Sequence, residues 1–411
     1  KTADHYEWQV GEDIAYQVVV TNTFPGTIAR DVVIWDDCLP DGLALNEGED
    51  AIQVEGIPAA YYNKIAGTKD TASILNPENY NETEEVAIDW RMERNGDGWK
   101  LSISDLPCNT PVTLTFHCQA TQEMNGQESV NVANVQAENG ELVQDDAEVY
   151  VNTAILTLDK SVTNPYLEAN DNREANEFRV GETVEYTVVV NNQQPGSIAR
   201  NLVITDDSLP EGLKLDPESF AISGVPETIV NPIGGTDDAG NQLDPDNYQE
   251  TEEKAVTTAY EETATGWRYT ISDLPYHTPV TITYTATAQE SVNGNEIINT
   301  AAAVADNAAP VKDSEKVWIN SPVLNVSKEA DKDEYKYGDI VTYEVEVTQD
   351  QIGCVARNVT ISDVIETPGV KLQKNSIVLM DANRHVIEAD VDVVDNTFVI
   401  QTGRNLVKEG N

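Results

Sequence analysis

The same phrases occur three times in one order along this chain of 411 residues, and this internal repeat limits the folds open to it. An opening phrase occupies residues 10–20, 180–190 and 337–347, and in each copy a glycine is followed by alternating apolar residues. An Ala-Arg phrase follows at constant spacing and leads to an aspartate. We therefore predict a tandem array of related domains.

Similar short, apolar linkers at residues 152–160 and 320–328 separate the copies. We predict a first repeat at residues 1–152, a second at 153–320 and a partial third at 321–411. The first repeat is expected to begin inside its first strand, and the third to lack its C-terminal strands. Because the linkers are short and apolar, neighbouring domains should stack closely.

The period of the apolar residues identifies the type of element. Ile14, Tyr16, Val18 and Val20 alternate with the residues between them, which is the two-residue period of a half-buried strand. Pro, Gly and Asn interrupt the chain roughly every ten residues, as they do in β-sandwiches. The predicted fold class is all-β, with tandem Ig-like β-sandwich domains arranged as a rod.

The net charge of the chain limits the kinds of partner that it can bind. It has 25 basic and 72 acidic residues and a formal net charge of −47. Such a surface repels phosphate backbones and anionic headgroups, which argues against nucleic acid as a partner. No segment reaches the ~18 consecutive apolar residues of a membrane span, so no membrane contact is expected. The simplest interpretation of the carboxylates is a solvated surface of a secreted protein.

No cofactor is expected, and calcium is the alternative because hard cations take clustered carboxylate oxygens. Its candidate ligands are Asp237 and Asp238 in one loop, or the acidic insertion at residues 170–174. Ordinary solvated turns are the competing interpretation. Four cysteines are too few for a disulfide scaffold. Cys38 and Cys108 nevertheless fall in loops of the first repeat and form a candidate disulfide.

Enzymatic turnover is not expected. Hydrolytic chemistry usually needs a base such as histidine near a nucleophile, and none of the four histidines occupies a matched repeat position. The chain also has no glycine-rich phosphate loop, no nucleophile elbow and no Cys/His cluster with metal-ligand spacing.

Three types of polar residue persist at matched positions: a lysine that opens each copy, an aspartate after the Ala-Arg phrase, and an asparagine in a late apolar strand. They are Lys1, Lys160 and Lys328, Asp36, Asp206 and Asp363, and Asn131 and Asn299. If they are buried together, desolvation would lower the lysine pKa and raise the aspartate pKa. The neutral amine could then attack the carboxamide while the acid relays a proton to departing ammonia. The product would be a Lys-Asn isopeptide bond.

This arrangement resembles the isopeptide-forming Ig-like domains of Gram-positive pilins and collagen-adhesin-type cell-surface proteins. In that family the lysine lies on the first strand, the acid on a middle strand and the asparagine on a late strand in an Asn-x-Ala context. The resemblance spans nearly the whole chain. It implies two cross-links with their promoting acids, Lys1 and Asn131 with Asp36, and Lys160 and Asn299 with Asp206. A cross-link in the third copy would need an asparagine beyond residue 411 to react with its lysine.

The resemblance also implies a function. The chain would belong to an extracellular structural or adhesive stalk, either a pilin shaft or a cell-wall adhesin repeat, on a bacterial cell surface. It would be anchored through regions outside this sequence. Its partners would be a host surface protein or glycan, or neighbouring subunits of a surface fibre.

Other interpretations stay open. The aspartates precede Asp-x-Leu-Pro turns and could cap their own backbone, the asparagines could satisfy a buried edge, and the lysines could extend to solvent. The chain would then be a ligand-binding module for a host protein or glycan, without covalent cross-links. Its polar excursions after Ile65 and Ile233 would bind the ligand, and exposed aromatic residues such as Tyr61, Tyr62 and Tyr80 would favour this interpretation. A third class is the non-catalytic part of a larger secreted enzyme.

Overall fold

The structure, a computed structural model, describes residues 1–48, 51–65, 83–96, 98–167, 172–234 and 250–408. Strands account for nearly all regular structure in these ranges, and the helices described there are three short 3-10 turns. The turns are Gln122–Met124, Glu290–Val292 and Lys374–Ser376.

Thirteen strands are described in the first repeat. They are β1 (Thr2–Ala3), β2 (Glu7–Trp8), β3 (Asp13–Val20), β4 (Ile28–Asp36), β5 (Leu43–Leu45), β6 (Ile52–Glu55), β7 (Ala60–Lys64), β8 (Thr83–Ala87), β9 (Trp90–Asn95), β10 (Gly98–Pro107), β11 (Val112–Ala120), β12 (Glu128–Gln136) and β13 (Val143–Val151). One sheet has the order β1-β3-β11-β5, with β6 also paired to β11. The other has the order β2-β13-β12-β4-β10-β9, and β7 pairs with β8.

Twelve strands are described in the second repeat. They are β14 (Leu156–Thr163), β15 (Glu177–Phe178), β16 (Thr183–Asn192), β17 (Ile198–Asp206), β18 (Leu213–Ser223), β19 (Thr228–Pro232), β20 (Thr251–Ala255), β21 (Thr258–Thr263), β22 (Gly266–Pro275), β23 (Val280–Ala288), β24 (Glu296–Ala305) and β25 (Ala308–Ile319). Its sheets have the orders β14-β16-β23-β18 and β15-β25-β24-β17-β22-β21, and β19 pairs with β20.

Nine strands are described in the third repeat. They are β26 (Leu324–Ala330), β27 (Tyr343–Gln349), β28 (Val355–Ala356), β29 (Thr360–Val364), β30 (Leu379–Met380), β31 (Val386–Ile387), β32 (Asp390–Val394), β33 (Thr397–Gln401) and β34 (Leu406–Val407). They form small sheets of two or three strands, namely β26-β27, β28-β34, β29-β33-β32 and β30-β31. Every residue of β26 is exposed, whereas its counterpart β14 alternates between buried and exposed residues.

The first two repeats follow the immunoglobulin plan, in which strands A, B, E and D form one sheet and strands G, F and C form the other. In the second repeat the first of these sheets is β14-β16-β23-β18, and the run β25-β24-β17 supplies G, F and C. Four strands, β19 to β22, are inserted between strands D and E. This strand order confirms the predicted all-β fold of tandem Ig-like sandwiches.

Alternation along the strands explains why these segments pack as sandwiches. In β16, Val184, Tyr186, Val188 and Val190 are fully buried while the residues between them are more exposed. Burying one such side chain contributes about 1.5–3 kcal/mol relative to leaving it exposed. The apolar residues form two separate cores, one drawn from residues 8–151 and the other from residues 154–319. That each repeat folds independently within the boundaries given above stays a prediction.

Candidate cross-linking sites

The second sandwich brings its predicted lysine, aspartate and asparagine together in its interior. Lys160 lies on β14, Asp206 ends β17 and Asn299 lies on β24. Each of the three is at most 1% exposed. Because β14 belongs to one sheet and β17 and β24 to the other, the three groups meet between the sheets.

One carboxylate oxygen of Asp206 is the centre of this site. Its Oδ2 accepts hydrogen bonds from Lys160 Nζ and from the hydroxyl of Tyr284. It also accepts one from Asn299 Nδ2 at 3.0 Å. The Tyr284 oxygen in turn accepts from Lys160 Nζ at 2.6 Å and from Asn299 Nδ2 at 3.0 Å. The amine, the acid and the carboxamide therefore share one hydrogen-bond network.

Burial shapes the electrostatics of the site. Desolvation lowers the pKa of Lys160, against the opposing effects of Asp206, Asp313 and Glu315, and so favours the neutral amine. Burial and the neighbouring Asp206 raise the pKa of Tyr284, which keeps its hydroxyl protonated. Two buried oxygens, Asp206 Oδ1 and Asn299 Oδ1, have no hydrogen-bond partner among the described residues. Unpartnered buried oxygens are unfavourable, so the unreacted network is not fully satisfied.

A glycine lets the neighbouring strand approach Asp206 closely. Gly266 begins β22, and a Cβ placed there would lie 1.8 Å from the backbone oxygen of Asp206. The next residue, Trp267, pairs with Asp206 across β17 and β22 and is fully buried. The Gly-Trp pair recurs as Gly98 and Trp99 in the first repeat. This close approach fixes the backbone that carries the acid.

The first sandwich assembles the equivalent residues with fewer contacts. Lys1 Nζ lies 3.2 Å from Asp36 Oδ2, and both side chains are buried. Desolvation lowers the pKa of Lys1 to about 8 and raises that of Asp36. Asn131 is 1% exposed, and its proximity to Asp36 opposes the rise in the pKa of that acid. The Asn131 amide nevertheless makes no hydrogen bond of ordinary geometry to the described residues.

The third repeat holds the same lysine and acid in a more open setting. Lys328 Nζ lies 2.5 Å from Asp363 Oδ2, yet the lysine side chain is 36% exposed and the aspartate side chain 19% exposed. The described residues of this repeat supply no counterpart of β24, so no asparagine faces this pair there.

All three lysines lie over a tyrosine of the repeated opening phrase. The distances from Nζ to the ring centroid are 5.2 Å for Lys1 and Tyr16, 4.7 Å for Lys160 and Tyr186, and 4.6 Å for Lys328 and Tyr343. The Lys160 side chain is fully buried and Asp206 accepts from side chains, so neither solvent extension nor turn capping describes the second sandwich. The recurring tyrosines carried the same positional signal as the lysines, and sequence reasoning did not use it.

The other predicted site residues do not assemble. Cys38 and Cys108 are free thiols, and Cys108 Sγ accepts a hydrogen bond from Gly26 N at 3.2 Å, so the predicted disulfide is not formed in this structure. Asp237 and Asp238 lie outside the described residues. Within the described ranges, no group of three His, Cys, Asp or Glu side chains could hold a metal ion. Of the aromatic residues considered for ligand binding, Tyr61 is buried and Tyr62 is 72% exposed, whereas Tyr80 lies outside the described ranges.

A second repeated constellation lies where one sandwich meets the next. Arg200, from the Ala-Arg phrase of the second repeat, places Nη2 2.8 Å from Glu7 Oε2 of the first. Asn152 donates to Ile198 O at 2.9 Å and accepts from Ile198 N at 2.8 Å. Sequence reasoning noted the recurring arginine but assigned it no role.

The next junction repeats these contacts. Arg357 Nη1 lies 2.5 Å from Glu177 Oε2. Asn320 donates to Val355 O at 3.1 Å and accepts from Val355 N at 2.8 Å. Both junctions therefore join an Asn and a Glu of one sandwich to the Ala-Arg strand of the next.

Comparisons with known proteins show limited similarity. No protein-family model and no curated protein matches the chain. Among solved structures, the AgI/II polypeptide BspA C-terminal domain of Streptococcus agalactiae is similar over 76% of this chain and 95% of that chain, at 11% identity and a TM-score of 0.33. The group B streptococcus pilus 2b backbone protein is similar over 77% and 88%, at 12% identity and a TM-score of 0.24. The collagen adhesin of S. aureus is similar over 85% and 94%, at 11% identity and a TM-score of 0.21.

These TM-scores are low, and the assignment of the fold rests on the strand order described above. Among the described residues, no helix is long and apolar enough to cross a membrane.

Proposed function

We propose that this chain is a segment of an extracellular structural or adhesive stalk, a pilin shaft or cell-wall adhesin repeat, whose sandwiches are stabilised by self-formed Lys-Asn isopeptide bonds. The observation that supports this most is the buried network of Lys160, Asp206 and Asn299. A lysine and an asparagine held against one buried acid are the reactants and the proton carrier that amide exchange needs.

The proposed reaction balances without an external reagent. A proton passes from Lys160 Nζ to Asp206, which leaves a neutral amine beside a neutral acid. The amine lone pair attacks Cγ of Asn299, and the carbonyl electrons move to oxygen. As the tetrahedral intermediate collapses, the Cγ–Nδ2 bond breaks, and Asp206 relays protons from Nζ to the departing nitrogen. One ammonium and one carboxamide become one secondary amide and one ammonium ion, and the Asp206 carboxylate is restored.

The bond would tie the two sheets of the sandwich together. It joins β14 of one sheet to β24 of the other and closes a loop of more than a hundred residues. The loop-entropy relation for disulfides gives about 4.7 kcal/mol for a 100-residue loop. An amide also resists reduction, which suits an extracellular chain with few cysteines.

The junctions support the stalk part of the proposal. The same Glu-Arg and Asn-backbone contacts join the first sandwich to the second and the second to the third. Such repeated contacts add each sandwich to the preceding one in the same way. The location on a bacterial cell surface, and partners among host surface proteins, glycans or fibre subunits, belong to this proposal.

The intact mass of the purified chain tests it, together with peptide mapping. Each cross-link removes the mass of one ammonia and joins the lysine and asparagine peptides. We expect the Lys160–Asn299 peptide in the wild-type chain and in Asp207→Ala, which changes the exposed neighbour of the acid. We expect its absence in Asp206→Ala. A folded wild-type chain of unmodified mass would refute the covalent proposal.

A second candidate function is a surface module that binds a host protein or glycan. Tyr62 favours it, because this side chain is 72% exposed on the β7-β8 hairpin, and an exposed aromatic ring can stack on a ligand. Binding of the wild-type chain to a glycan array, with loss in Tyr62→Ala, would support this function. Equal binding by the wild-type chain and by Tyr62→Ala would show that Tyr62 does not contribute to glycan binding.

A further inference from the structure

The second sandwich has a buried tyrosine that the first sandwich replaces with phenylalanine. Tyr284 on β23 corresponds to Phe116 on β11, since each pairs with the tyrosine of its opening phrase. The rings lie in closely similar surroundings. The centroid distance to that tyrosine is 5.3 Å for Tyr284 and 5.2 Å for Phe116, and each ring lies 5.3 Å from the buried tryptophan.

We infer that Tyr284 is a catalytic residue for the cross-link of the second sandwich, and that its absence makes the first sandwich react more slowly. This inference rests on the proposed function, because it names a further participant in the same reaction. It follows from contacts to the reacting atoms themselves. The Tyr284 oxygen accepts from Lys160 Nζ, the nucleophile, and from Asn299 Nδ2, the leaving nitrogen, while its hydroxyl donates to Asp206.

The first effect of the hydroxyl is orientation. Lys160 Nζ donates to both Asp206 and Tyr284, which fixes the position of the amine and two of its N–H directions. Asn299 Nδ2 donates to the same two oxygens, so its amide plane is fixed as well. Two reactants held in this way need less reorganisation to reach the transition state.

The second effect is proton transfer. Tyr284 can pass its own proton to Asp206 while it receives one from Lys160 Nζ, and the hydroxyl is unchanged at the end. Burial raises the pKa of Tyr284 and keeps the hydroxyl protonated at neutral pH, so it relays a proton only by accepting one as it donates one. A positioned proton carrier contributes about 10²–10⁴-fold to a rate. In the first sandwich Asp36 remains, but the phenyl ring of Phe116 provides no second carrier.

A reciprocal exchange tests the inference in the full chain. Wild type, Tyr284→Phe and Phe116→Tyr are recovered as insoluble, unfolded chains in denaturant, and their unmodified mass verifies that no cross-link has formed. They are then refolded by dilution, and peptide mapping follows each cross-link with time. In wild type we expect the Lys160–Asn299 bond to form faster than Lys1–Asn131. Tyr284→Phe should slow the former by about 100-fold, whereas Phe116→Tyr should accelerate the latter. Acceleration is a readout that a purely structural role of the ring would not produce.

The outcomes separate this inference from the proposed function. If wild type forms neither bond, the proposed function fails, and the inference fails with it. If wild type forms the bonds but Tyr284→Phe forms Lys160–Asn299 at an unchanged rate, the inference alone is overturned. Should Phe116→Tyr not refold, the rate in Tyr284→Phe still decides, with circular dichroism verifying that this variant has folded.

Discussion

The first and second sandwiches contain the same lysine, aspartate and asparagine but hold them differently. In the second, Lys160 lies on a strand whose eight residues pair with β16, and the acid also binds the carboxamide. In the first, Lys1 precedes a strand of which two residues pair with β3, and Asn131 makes no ordinary hydrogen bond to the described residues. The recurrence of lysine, aspartate and asparagine in each repeat thus predicts that the three side chains lie close together. The pairing of the strand next to the lysine determines how many hydrogen bonds they make with one another.

The third repeat extends the comparison. Its lysine and acid also meet, but both are partly exposed because β26 lacks the cover that β14 has. The ion pair therefore forms without burial, and burial is what favours the neutral amine and acid. Burial separates the third site from the first two, whereas the hydrogen bonds of the asparagine separate the first from the second.

The largest expected difference between the sandwiches concerns removal of the acid. Asp206→Ala prevents the bond, which loses its stabilisation of about 4.7 kcal/mol. It also leaves the buried Lys160 with the Tyr284 hydroxyl but without a carboxylate, and breaking a buried pair costs about a further 3–5 kcal/mol. Asp36→Ala should cost about half as much, because the short pairing of β1 lets Lys1 move to solvent. Chemical denaturation of both variants measures this, with Asp207→Ala as the surface control. Equal losses in both sandwiches would contradict the comparison.

The close approach of β22 to the acid predicts a smaller effect. Gly266→Ala places a Cβ 1.8 Å from the backbone oxygen of Asp206, so β17 and β22 must separate. Overpacking of this kind costs about 1–3 kcal/mol. The cross-link should also form more slowly, because the acid moves with its strand. Gly98→Ala tests the first sandwich in the same way.

Gly140→Ala is the matched control for this prediction, since a Cβ there would be 3.4 Å from Ala137 Cβ, an ordinary contact. Melting temperature and the yield of the Lys160–Asn299 peptide are the two measurements. An unchanged yield in Gly266→Ala would show that the position of the acid tolerates the displacement.

The pH dependence of the first cross-link sharpens the comparison further. The reactive pair of neutral amine and neutral acid carries as many protons as the ion pair, so its population is constant between the two pKa values. Above the Lys1 pKa of about 8 the pair loses a proton, and the rate should fall about tenfold per pH unit. Below the raised pKa of Asp36 the pair gains a proton, and the rate should fall again.

Cys118 and Tyr16, which also face Lys1, do not titrate in this window. Burial raises the pKa of Cys118 to about 12 and that of Tyr16 well above its usual value, and Asp146 contributes a negative charge.

The lowered pKa of Lys1 also affects the stability of the first sandwich before the bond forms. From about pH 8 towards 10.5 the unfolded chain binds more protons, so the unreacted first sandwich becomes more stable as pH rises. Refolding at several pH values measures both effects, and a rate that keeps rising above pH 9 would contradict this scheme.

The fold and the meeting of lysine, aspartate and asparagine could be predicted from the sequence because both leave a repeated pattern. Period-two apolar residues identified strands, and persistence of Lys, Asp and Asn across copies identified Lys160, Asp206 and Asn299. Tyr284 could not be found in this way, since the first copy has Phe116 and the comparison of copies removed it. Its hydroxyl contacts the site only because the folding of β14, β17 and β23 brings it to Asp206 and Lys160.

The junction contacts escaped prediction for a different reason. The arginine recurs in every copy, but its partner Glu7 is 193 residues away from Arg200 in the sequence. A recurring residue indicates that something constrains it, and its partner becomes visible only when consecutive sandwiches are placed end to end. Glu7 and Glu177 occupy matched positions, four residues before Gly11 and Gly181, and this recurrence is the sequence signal that could have suggested a partner for the arginine.

The smallest expected effect is the coupling free energy of the ion pairs at the two junctions, measured against that of an exposed ion pair. Arg200 binds Glu7 and the buried Asp273, whereas Arg357 binds Glu177 in the partly buried second junction. Charge-assisted hydrogen bonds that are partly buried contribute about 1.5–3 kcal/mol.

We expect a double-mutant cycle on Glu177→Gln and Arg357→Met to give a coupling of about 1 kcal/mol, because part of that contribution is offset by desolvation. The control cycle is Lys316 with Glu296, whose side chains are 56% and 54% exposed and should couple by less than about 0.5 kcal/mol. Equal coupling in both cycles would mean that the junction is held by its Asn-backbone contacts, and Asn320→Ala would then destabilise it more than Arg357→Met does.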